Sequence, residues 1–462
     1  MINLSSYKDK KILIVGFGKT GSSVAKCLHF SGAKIFVWDD NHASRKLAMS
    51  KGYQVFQFKR QTISSFDDII WSPGIPHNFP KPHPIAIEAN KIGRKLRCDI
   101  DLLFESQREA QYLCVSGTNG KSTTTTLVAH ILRRAGKNIQ VGGNLGNAVL
   151  DLKPLESDGI YVLEISSFQS ELIPNLQSNI SALLNITPDH LDRHGSLDGY
   201  IAAKAKLFEN QSPGSVVIIN DDDENCRYIK SKIEKRTQIN ILNVSINHKV
   251  KSGVYVSGSV LKDNYFGDDS EIDLSRFINL QGKHNFQNIA FAYVISRIHG
   301  IDLHQIIDSL LSFKNLPHRQ EFIGSSSNVI FINDSKATNW ASALYALSCY
   351  KNIFWIAGGV SKYDYPSSFI PYAKNLKKAY LIGESAAELS SYLNNNNIQN
   401  YIKHSLEDAI LDAYEDAVLS KEKGVTILLS PACASMDMFK NFEERGELFT
   451  SFVNQKYLGK SQ

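Results

Sequence analysis

The chain has 462 residues, of which 43% are hydrophobic, and its formal net charge of +5 is spread along the sequence. This length predicts two or three domains, and so small a net charge disfavours a nucleic acid or an anionic membrane surface as a partner. The N-terminal stretch leads directly into a predicted strand, no apolar run is long enough to span a bilayer, and the six cysteines form no C-x-x-C pair. We therefore expect a cytoplasmic protein with reduced, mostly buried thiols and no membrane insertion.

Three blocks of strand-like segments follow one another along the chain. The first contains KILIVGFG, KIFVWDD and DDIIWSPG, the second contains YLCVSGT, IYVLEISS, ISALLNITPDH and SVVIINDDD, and the third contains VIFINDS, NIFWIAGG, KAYLIGE and VTILLSPACAS. Each strand ends at small or polar residues, which is typical of parallel α/β sheets. We predict an α/β fold with a Rossmann-like N-terminal domain at residues 1–99, a P-loop-type central domain with a small antiparallel meander at 100–315, and a Rossmann-like C-terminal domain at 316–462.

The first block opens with a glycine motif. Gly16, Gly18 and Gly21 follow a strand with G-x-G-x-x-G spacing, and Asp39 ends the next strand. In isolation this arrangement is typical of a dinucleotide site, in which the glycines let the backbone approach a diphosphate. An NAD-dependent oxidoreductase is therefore one interpretation of the chain, although a lone fingerprint of this kind is weak evidence.

The second block contains VSGTNGKSTTTT between a predicted strand and a predicted helix. Two glycines let consecutive backbone N–H groups converge on an anion, a lysine adds a positive charge, and a serine hydroxyl can reach a bound Mg²⁺. Val115 stands where the full P-loop pattern has its first glycine, so this loop is a shorter form. The predicted phosphate-binding residues are Gly117, Thr118, Asn119, Gly120, Lys121, Ser122 and Thr123.

Two further segments of the second block carry side chains that bind metals. Glu164 ends an apolar strand, the position at which nucleotide-hydrolysing folds often hold a magnesium-binding carboxylate. The stretch NITPDHLDRHG then gathers two histidines, two aspartates and an arginine. Zinc binding through His190 and His194 is one alternative, but the segment lacks the His-Glu pattern of a zinc protease. A loop that faces a nucleotide-bound Mg²⁺ fits these residues better.

Motifs in all three blocks resemble one known family, the Mur ligases. The matching stretches are VSGTNGKST, LEISSFQ, NITPDHLDRHG with a following AAK, GKHNFQN, LPHRQE, NDSKATN and SPACASMDMFKNFEERG. Mur ligases are ATP-dependent enzymes that form amide bonds in peptidoglycan synthesis, and the resemblance implies the same activity here. It implies that the γ-phosphoryl group of ATP is transferred to a carboxylate, and that the amine of an amino acid attacks the resulting acyl phosphate.

The resemblance also implies two Mg²⁺ ions beside ATP. Ser122 and Glu164 would hold the first ion, and His190 and Lys204 the second, with Lys204 carried as a carbamate. From the sequence pattern alone, Lys204 would be a lysine on the surface of a helix. The residues implied as catalytic are Lys121, Glu164, His190 and Lys204, and those implied to bind the rest of ATP are Asn285, Asn288, Arg319 and Asp334.

Within the family, the glycine turn, NDSKATN and the SPACAS ending resemble members that add D-glutamate to UDP-N-acetylmuramoyl-L-alanine. The glycine motif would then bind a UDP-sugar and not NAD. The implied residues for this substrate are Gly18, Thr20, Asp39, Asp40, Ser72, Pro73, Gly74, Asn144 and His190. Asp40 and Asn41 depart from the threonine and the basic residue expected there, which leaves the uracil contacts open.

The resemblance implies a D-glutamate site in the third block. Its residues are Lys336, Thr338, Lys362, Ser435 and Phe442. The block has no Asp-Asn-Pro-Arg segment, which marks family members that take a dibasic amino acid, so glutamate is favoured.

Folate polyglutamylating ligases share the central block without the N-terminal glycine turn, and a nucleotide-gated binding protein would not need every metal-binding residue. We expect a monomer that binds small-molecule substrates and no nucleic acid.

Overall fold

The computed structural model describes residues 2–57, 62–236, 238–267, 271–314, 316–361, 365–420, 422 and 424–459, apart from the side chains of residues 278 and 367. The chain divides into two compact units, of which the first comprises Met1–Arg276 with Phe286–Ser312 and the second Phe277–Asn285 with Phe313–Gln462. The first unit holds two β-sheets and the second holds one. The domain boundaries predicted near residues 99 and 315 remain a prediction.

The N-terminal sheet has four parallel strands in the order β3-β2-β1-β4. Its strands are β1 (Lys11–Val15), β2 (Lys34–Trp38), β3 (Gln54–Val55) and β4 (Asp68–Trp71), and its helices are α1 (Lys19–Phe30), α2 (His42–Ser50) and α3 (Pro84–Lys91). Strands β1 and β4 are almost wholly buried, as expected for parallel strands that are covered on both faces. Every strand predicted in this block is present, and the short strand β3 was not predicted.

The central sheet has nine strands in the order β13-β12-β11-β10-β9-β8-β5-β7-β6. They are β5 (Gln111–Ser116), β6 (Ile139–Gly143), β7 (Ile160–Glu164), β8 (Ile180–Leu183), β9 (Val216–Asn220), β10 (Asn240–Ser245), β11 (Gly253–Ser257), β12 (Val260–Asp263) and β13 (Glu271–Asp273). The helices of this part are α4 (Asp99–Ser106), α5 (Lys121–Arg134), α6 (Ser167–Ser170), α7 (Leu191–His194), α8 (Leu197–Ala205), α9 (Glu224–Ile233), α10 (Lys283–Ile298) and α11 (Leu303–Ser312). Strands β5, β7 and β8 are parallel neighbours, so the segments that follow them leave one edge of the sheet.

The antiparallel meander predicted in the central domain is present. Strand β11 pairs antiparallel with β12, and β12 pairs antiparallel with β13. Because β11 also pairs in parallel with β10, the meander extends the central sheet. Gly253 opens β11 with a φ of +134°, and a Cβ atom there would lie 1.9 Å from the Asn243 carbonyl oxygen. A glycine is therefore required where these two strands meet.

The third sheet has six strands in the order β14-β15-β19-β16-β17-β18. They are β14 (Glu321–Ser326), β15 (Val329–Asn333), β16 (Ile353–Gly358), β17 (Leu376–Ile382), β18 (Asn400–Ile402) and β19 (Val425–Leu429). The helices are α12 (Trp340–Cys349), α13 (Ile370–Ala373), α14 (Ala386–Asn395), α15 (Leu406–Leu419) and α16 (Phe442–Tyr457). The four predicted strands are β15, β16, β17 and β19. The two edge strands, β14 and β18, were not predicted because their side chains are mostly exposed or half-buried.

The cysteines and the helix lengths agree with the expectations from composition. All six cysteines are free thiols, and five of them are buried. Cys349 is partly exposed. Of the helices that the structure describes, none is both long and apolar enough to cross a bilayer.

A charge network joins the N-terminal sheet to helix α4. Arg97 Nη1 donates hydrogen bonds to Asp68 Oδ2 at 2.7 Å and to the Tyr7 hydroxyl at 2.8 Å. Its other nitrogens donate to carboxylate oxygens of Asp101 and Glu105. Only 12% of the Arg97 side chain is exposed. The three carboxylates therefore compensate a charge that water largely cannot reach.

Replacing Arg97 by methionine should destabilise the fold, because it leaves the three carboxylates together without their cation. We expect the free energy of unfolding to fall by about 3–5 kcal/mol, measured by urea denaturation near neutral pH. Lys91→Ala is the control, since Lys91 is 63% exposed in its pair with Glu88. That control should cost less than about 0.5 kcal/mol. Equal losses in the two variants would contradict the role assigned to Arg97.

Candidate functional site

The loop that is predicted to bind phosphate connects β5 and α5. Strand β5 ends at Ser116 and helix α5 begins at Lys121. Gly120 has a φ of +81°, in the left-handed region that favours glycine. A Cβ atom on Gly120 would lie 2.5 Å from Asn288 Oδ1. The loop and the N-terminus of α5 thus present backbone N–H groups and a positive potential to an anion.

Two lysine side chains converge on the carbonyl oxygen of Gly117. Lys121 Nζ donates to this oxygen at 2.8 Å and to the Thr118 carbonyl oxygen at 2.8 Å. Lys204 Nζ donates to the same Gly117 oxygen at 2.8 Å. Burial of Lys204, together with the nearby charge of Lys121, lowers the pKa of the Lys204 amine well below its ordinary value. The amine is therefore easily deprotonated, which makes it a nucleophile.

The position of Lys204 corrects the expectation from pattern alone, which was a surface lysine. Its side chain is 1% exposed, and its Nζ lies 4.7 Å from the centroid of the Tyr200 ring. Lys206, two residues further on, is exposed. Residues two positions apart on a helix face different directions, so one lysine enters the core and the other reaches solvent.

Glu164 ends β7 at the same edge of the central sheet and is 2% exposed. Its Oε1 accepts a hydrogen bond from Asn144 Nδ2 at 2.7 Å, whereas Oε2 is buried without a hydrogen-bond partner. A buried carboxylate oxygen without a donor is costly unless a cation compensates it. Carboxylate and hydroxyl oxygens are the ligands that Mg²⁺ prefers, so Glu164 and Ser122 fit this ion.

The loop after β8 is arranged around the ring of Phe168, which lies on α6. The centroid of the His190 ring is 4.9 Å from that of Phe168, and the centroid of His194 is 5.3 Å away. His190 has a φ of +52°, and its Nε2 lies 3.6 Å from Asp189 Oδ2. His194 Nε2 lies 3.0 Å from Ser167 Oγ. The loop therefore holds its two histidines in different surroundings.

These contacts give the zinc alternative no support. The His194 side chain is 3% exposed and packs on Phe168. Burial, aided by neighbouring positive charges, lowers the pKa of His194 to about 4, so its ring is neutral at pH 7. Within the described ranges, no group of three or more His, Cys, Asp or Glu side chains could hold a metal ion. A cation here would need ligands from a bound substrate as well.

The two asparagines predicted to bind ATP have different partners. Asn288 Oδ1 accepts a hydrogen bond from Thr124 Oγ1 at 3.1 Å, and Asn288 is 3% exposed. This contact brings Asn288 to the phosphate loop. Asn285 Nδ2 donates to the Gln281 carbonyl oxygen at 3.0 Å, within the second compact unit.

Asp334, also predicted to bind ATP, follows β15 in the second unit and is 7% exposed. Ser430 Oγ donates to its Oδ2 at 2.7 Å, and the Gln320 N–H donates to its Oδ1 at 3.1 Å. Burial raises the pKa of Asp334 to about 7, against the opposing effect of these hydrogen bonds and of the Arg319 charge. The carboxyl group therefore changes its charge close to neutral pH.

The residues predicted for the amino acid follow β15 and β19 or begin α16. Lys336 Nζ lies 3.9 Å from the centroid of the Phe442 ring. The Thr338 N–H donates to the Lys336 carbonyl oxygen at 2.7 Å, and Ser435 is 3% exposed. Lys362, the remaining residue of this prediction, lies outside the described residues. Among the described residues, one lysine of this prediction contacts one phenylalanine ring, and the predicted serine is buried.

Sequence reasoning missed Arg445, on α16. Its Nε and Nη2 donate to the Ser335 hydroxyl and carbonyl oxygens, each at 2.9 Å, and Nη2 also donates to the Cys433 carbonyl oxygen at 3.2 Å. Arg445 is 1% exposed, and burial lowers its pKa to about 10. Arg445 lies four residues before the buried Phe449 and eight before the buried Val453, and this helical spacing was the available signal. The guanidinium therefore ties together the segments that follow β15 and β19.

In the N-terminal sheet, the glycine turn contacts the turn at residues 72–74. Gly16 has a φ of +92°, and a Cβ atom on it would lie 2.4 Å from Ser72 Oγ. Ser72 Oγ donates to the Gly16 carbonyl oxygen at 3.2 Å. Asp39 Oδ2 accepts a hydrogen bond from the Phe17 N–H at 2.7 Å. The Asp39 carboxylate therefore closes the glycine turn through the backbone.

Asp40 is exposed in the turn that follows β2, and its side chain has two side-chain partners. Its Oδ1 accepts a hydrogen bond from Trp38 Nε1 at 3.1 Å and lies 3.1 Å from His83 Nε2. Partial desolvation of the Asp40 carboxylate acts to raise its pKa, but the contacts with His83 and Trp38 hold this pKa below the ordinary value. Gly18 and Thr20 lie at the start of α1. These predicted substrate residues thus surround the carboxyl ends of β1 and β2.

Comparison with known proteins assigns the chain to a family. The Mur ligase MurD-like N-terminal domain matches residues 10–92, and the Mur ligase middle domain matches residues 115–296. A UDP-N-acetylmuramoylalanine–D-glutamate ligase from Paramagnetospirillum magneticum is 39% identical over 453 residues, which cover 98% of both chains. A ligase of the same name from Rickettsia felis is 40% identical and covers 96% of this chain and 97% of its own. The chain therefore belongs to the Mur ligases, ATP-dependent enzymes that form amide bonds.

Solved structures support the predicted fold class. UDP-N-acetylmuramate–alanine ligase MurC from Thermotoga maritima superposes with a TM-score of 0.59 at 17% identity, covering 96% of this chain and 99% of its own. MurF from Acinetobacter baumannii gives a TM-score of 0.59 at 14% identity, covering 99% of this chain and 93% of its own. At such low identity, these likenesses show the fold alone. The predicted α/β class with three sheet-containing domains is confirmed.

The neutral ring of His194 should make stability depend on pH. Its folded pKa of about 4 lies below the ordinary 6.5, so the unfolded chain binds the proton more readily and stability falls as the pH drops through this window. Between about pH 7.5 and pH 5, we expect wild type to lose about 2 kcal/mol more stability than His194→Gln, measured by urea denaturation. His404→Gln, at an exposed histidine, is the control and should behave as wild type. An identical pH dependence of His194→Gln and wild type would contradict the assignment.

Proposed function

We propose that this chain joins D-glutamate to UDP-N-acetylmuramoyl-L-alanine and converts ATP to ADP and phosphate. The relatives named UDP-N-acetylmuramoylalanine–D-glutamate ligase, which match nearly the whole chain, support this substrate pair. The single observation that carries the proposal is the buried Glu164 Oε2 without a hydrogen-bond partner, on the strand next to the phosphate loop. A buried anion at that place calls for the magnesium that accompanies ATP.

The chemistry needs activation of a carboxylate, which is a poor electrophile with a poor leaving group. Transfer of the γ-phosphoryl group forms an acyl phosphate, and the amine of the amino acid then adds to its carbonyl carbon. The tetrahedral intermediate releases phosphate as the amide forms. Negative charge accumulates at each stage, so the site requires cations and hydrogen-bond donors and no nucleophilic side chain.

Each residue of the phosphate loop has a role in this scheme. Lys121 and the loop N–H groups donate to the β- and γ-phosphates. Ser122 and Glu164 would hold one Mg²⁺, and His190 with Lys204 would hold a second. The bound ions would neutralise phosphate charge. Lys121 already lies at the loop through its bonds to two loop carbonyl oxygens, which supports its part in this arrangement.

We propose that Lys204 is carried as a carbamate. Its amine adds to carbon dioxide, which forms an N–C bond and releases a proton, and the product is an anion with two oxygens. The low pKa and the burial of Lys204 support this step, because a neutral amine is the reactive form. The neighbouring charge of Lys121 would stabilise the anion.

The amino acid would be bound by the second unit. Lys336 and the predicted Lys362 supply positive charge for two carboxylates, and Thr338, Ser435 and the backbone near Phe442 supply hydrogen bonds. Arg445 is buried and donates its hydrogen bonds to carbonyl oxygens of Ser335 and Cys433, so it holds in place the segments that carry Lys336 and Ser435. The site as a whole is therefore suited to a small dianion.

The oxidoreductase alternative has no support from the comparisons, because the relatives are named as ligases. The Asp39 carboxylate also accepts a hydrogen bond from the backbone of the glycine turn. A second phosphate loop, at Gly117–Gly120, would have no part in hydride transfer. The N-terminal turn is better explained as a UDP-sugar site.

We also propose that the enzyme acts in the cytoplasm as a monomer, with a place in peptidoglycan synthesis and so in cell shape and division. Its family and its proposed substrates, which are cytoplasmic precursors, support the location. Light scattering after gel filtration tests the oligomeric state. A mass of twice the chain at micromolar protein would overturn the monomer.

The proposed reaction predicts phosphate release that requires ATP, Mg²⁺, UDP-N-acetylmuramoyl-L-alanine and D-glutamate together. Release should be lost with L-glutamate or D-lysine, and Lys121→Ala should reduce it at least about a hundredfold, because the charge on the transferring phosphate loses its donor. Lys137→Ala, at an exposed lysine beyond helix α5, is the control. Hydroxylamine should trap the activated sugar acid as a hydroxamate when D-glutamate is left out. Phosphate release that is independent of the UDP-sugar would overturn the proposal.

The carbamate predicts an NMR signal from the protein itself. With ¹³C-labelled bicarbonate, wild type should show a carbamate carbon that is absent in Lys204→Ala. Lys206→Ala should retain the signal, because Lys206 is exposed and lies outside the buried site of Lys204. Activity should fall in buffer stripped of carbon dioxide and return with bicarbonate. A wild-type spectrum without the signal, in an enzyme that remains active, would contradict the modification.

A further inference from the structure

We infer that Arg193 is a positioning residue for the UDP-sugar, because it holds the turn at residues 72–74 against the loop that carries His190. The inference rests on the proposed function, since it takes this turn as part of the UDP-sugar site. Arg193 lies on α7, three residues after His190. Its Nη1 donates a hydrogen bond to the Gly74 carbonyl oxygen at 2.8 Å. One side chain thus joins the N-terminal sheet to the central sheet within the first compact unit.

The turn is fixed from its other side as well. Ser72 Oγ donates to the Gly16 carbonyl oxygen at 3.2 Å, and the Ile75 N–H donates to the Ser72 carbonyl oxygen at 3.0 Å. Trp71 Nε1 donates to the Ile75 carbonyl oxygen at 2.9 Å. The glycine turn therefore anchors the start of this segment. Arg193, on helix α7 beside the central sheet, supplies the contact at Gly74.

The same ring that supports His190 also supports Arg193. The Arg193 Cζ lies 4.6 Å from the centroid of Phe168, and the His190 ring centroid lies 4.9 Å from it. A guanidinium over an aromatic face gains electrostatic attraction and packing together. Phe168 follows Glu164 by four residues and lies on α6. Arg193 is therefore held by an aromatic ring that also contacts His190, one of the proposed metal-binding residues.

The chemistry of arginine suits this place better than that of lysine. Its planar group can lie on the Phe168 ring while one N–H points along the plane to Gly74. Arg193 Nε is buried without a hydrogen-bond partner, so the guanidinium group does not form a bidentate ion pair through this nitrogen. A lysine would keep the charge, but its ammonium group has no flat face to pack on the ring. Position 193 therefore requires a planar side-chain group as well as a positive charge.

The test is calorimetric binding of UDP-N-acetylmuramoyl-L-alanine without ATP, followed by steady-state kinetics. We expect Arg193→Ala to raise the Kd and the KM for the UDP-sugar about tenfold, as for a lost hydrogen bond from a charged group. Arg193→Lys should fall between Arg193→Ala and wild type. The KM for D-glutamate should stay at the wild-type value, because Gly74 lies in the other substrate's site.

The control is Arg134→Ala, which removes an exposed arginine at the end of α5. It should leave both KM values unchanged. A Kd for Arg193→Ala within twofold of wild type, or an equal rise in both KM values, would overturn the inference, since the latter indicates general disruption. If Arg193→Ala does not fold, Arg193→Lys carries the same comparison. Wild type that is inactive with these substrates would instead overturn the proposed function.

Discussion

The carbonyl oxygen of Gly117 is the point on which the central site depends. It accepts hydrogen bonds from Lys121 at the start of α5 and from Lys204 on α8, so one backbone atom joins the phosphate loop to a second helix. Two ammonium groups this close repel each other, and the buried one loses its proton more easily. Burial is the larger cause of the lowered Lys204 pKa, and the charge of Lys121 on the loop adds to it. The proposed phosphate site and the proposed carbamate of Lys204 thus share the same few atoms.

Parallel strands explain why the remaining groups lie nearby. Strands β7, β5 and β8 are neighbours, and each delivers its next segment to the same edge of the central sheet. Glu164, the phosphate loop and the His190 loop therefore meet without any long connection. The N-terminal sheet follows the same rule, since the turns after β1 and β4 touch through Gly16 and Ser72. Because parallel strands end at the same edge of a sheet, polar side chains that are far apart in sequence are brought together in space.

The sequence predicted most of the strands, the phosphate loop and Glu164 because each has a local signal, such as an apolar run, two glycines or a terminal acid. It did not predict the burial of Lys204, since a lysine in a helix usually faces solvent. That burial is decided by the packing of α8 on the loop, which is a tertiary contact. Arg445 was missed for a similar reason, because its partners are carbonyl oxygens in two distant segments. Edge strands β14 and β18 were missed because their half-exposed residues show no clear alternation of apolar and polar side chains.

The contact between Gly120 and Asn288 has a consequence for how such a chain can change over evolution. The space that a Cβ atom at position 120 would need is filled by the amide oxygen of Asn288. That oxygen also accepts a bond from Thr124, so it cannot move aside without losing a partner. A smaller residue at position 288 would clear this space, but the φ of +81° would still strain any other residue at position 120, so the glycine itself should persist among descendants.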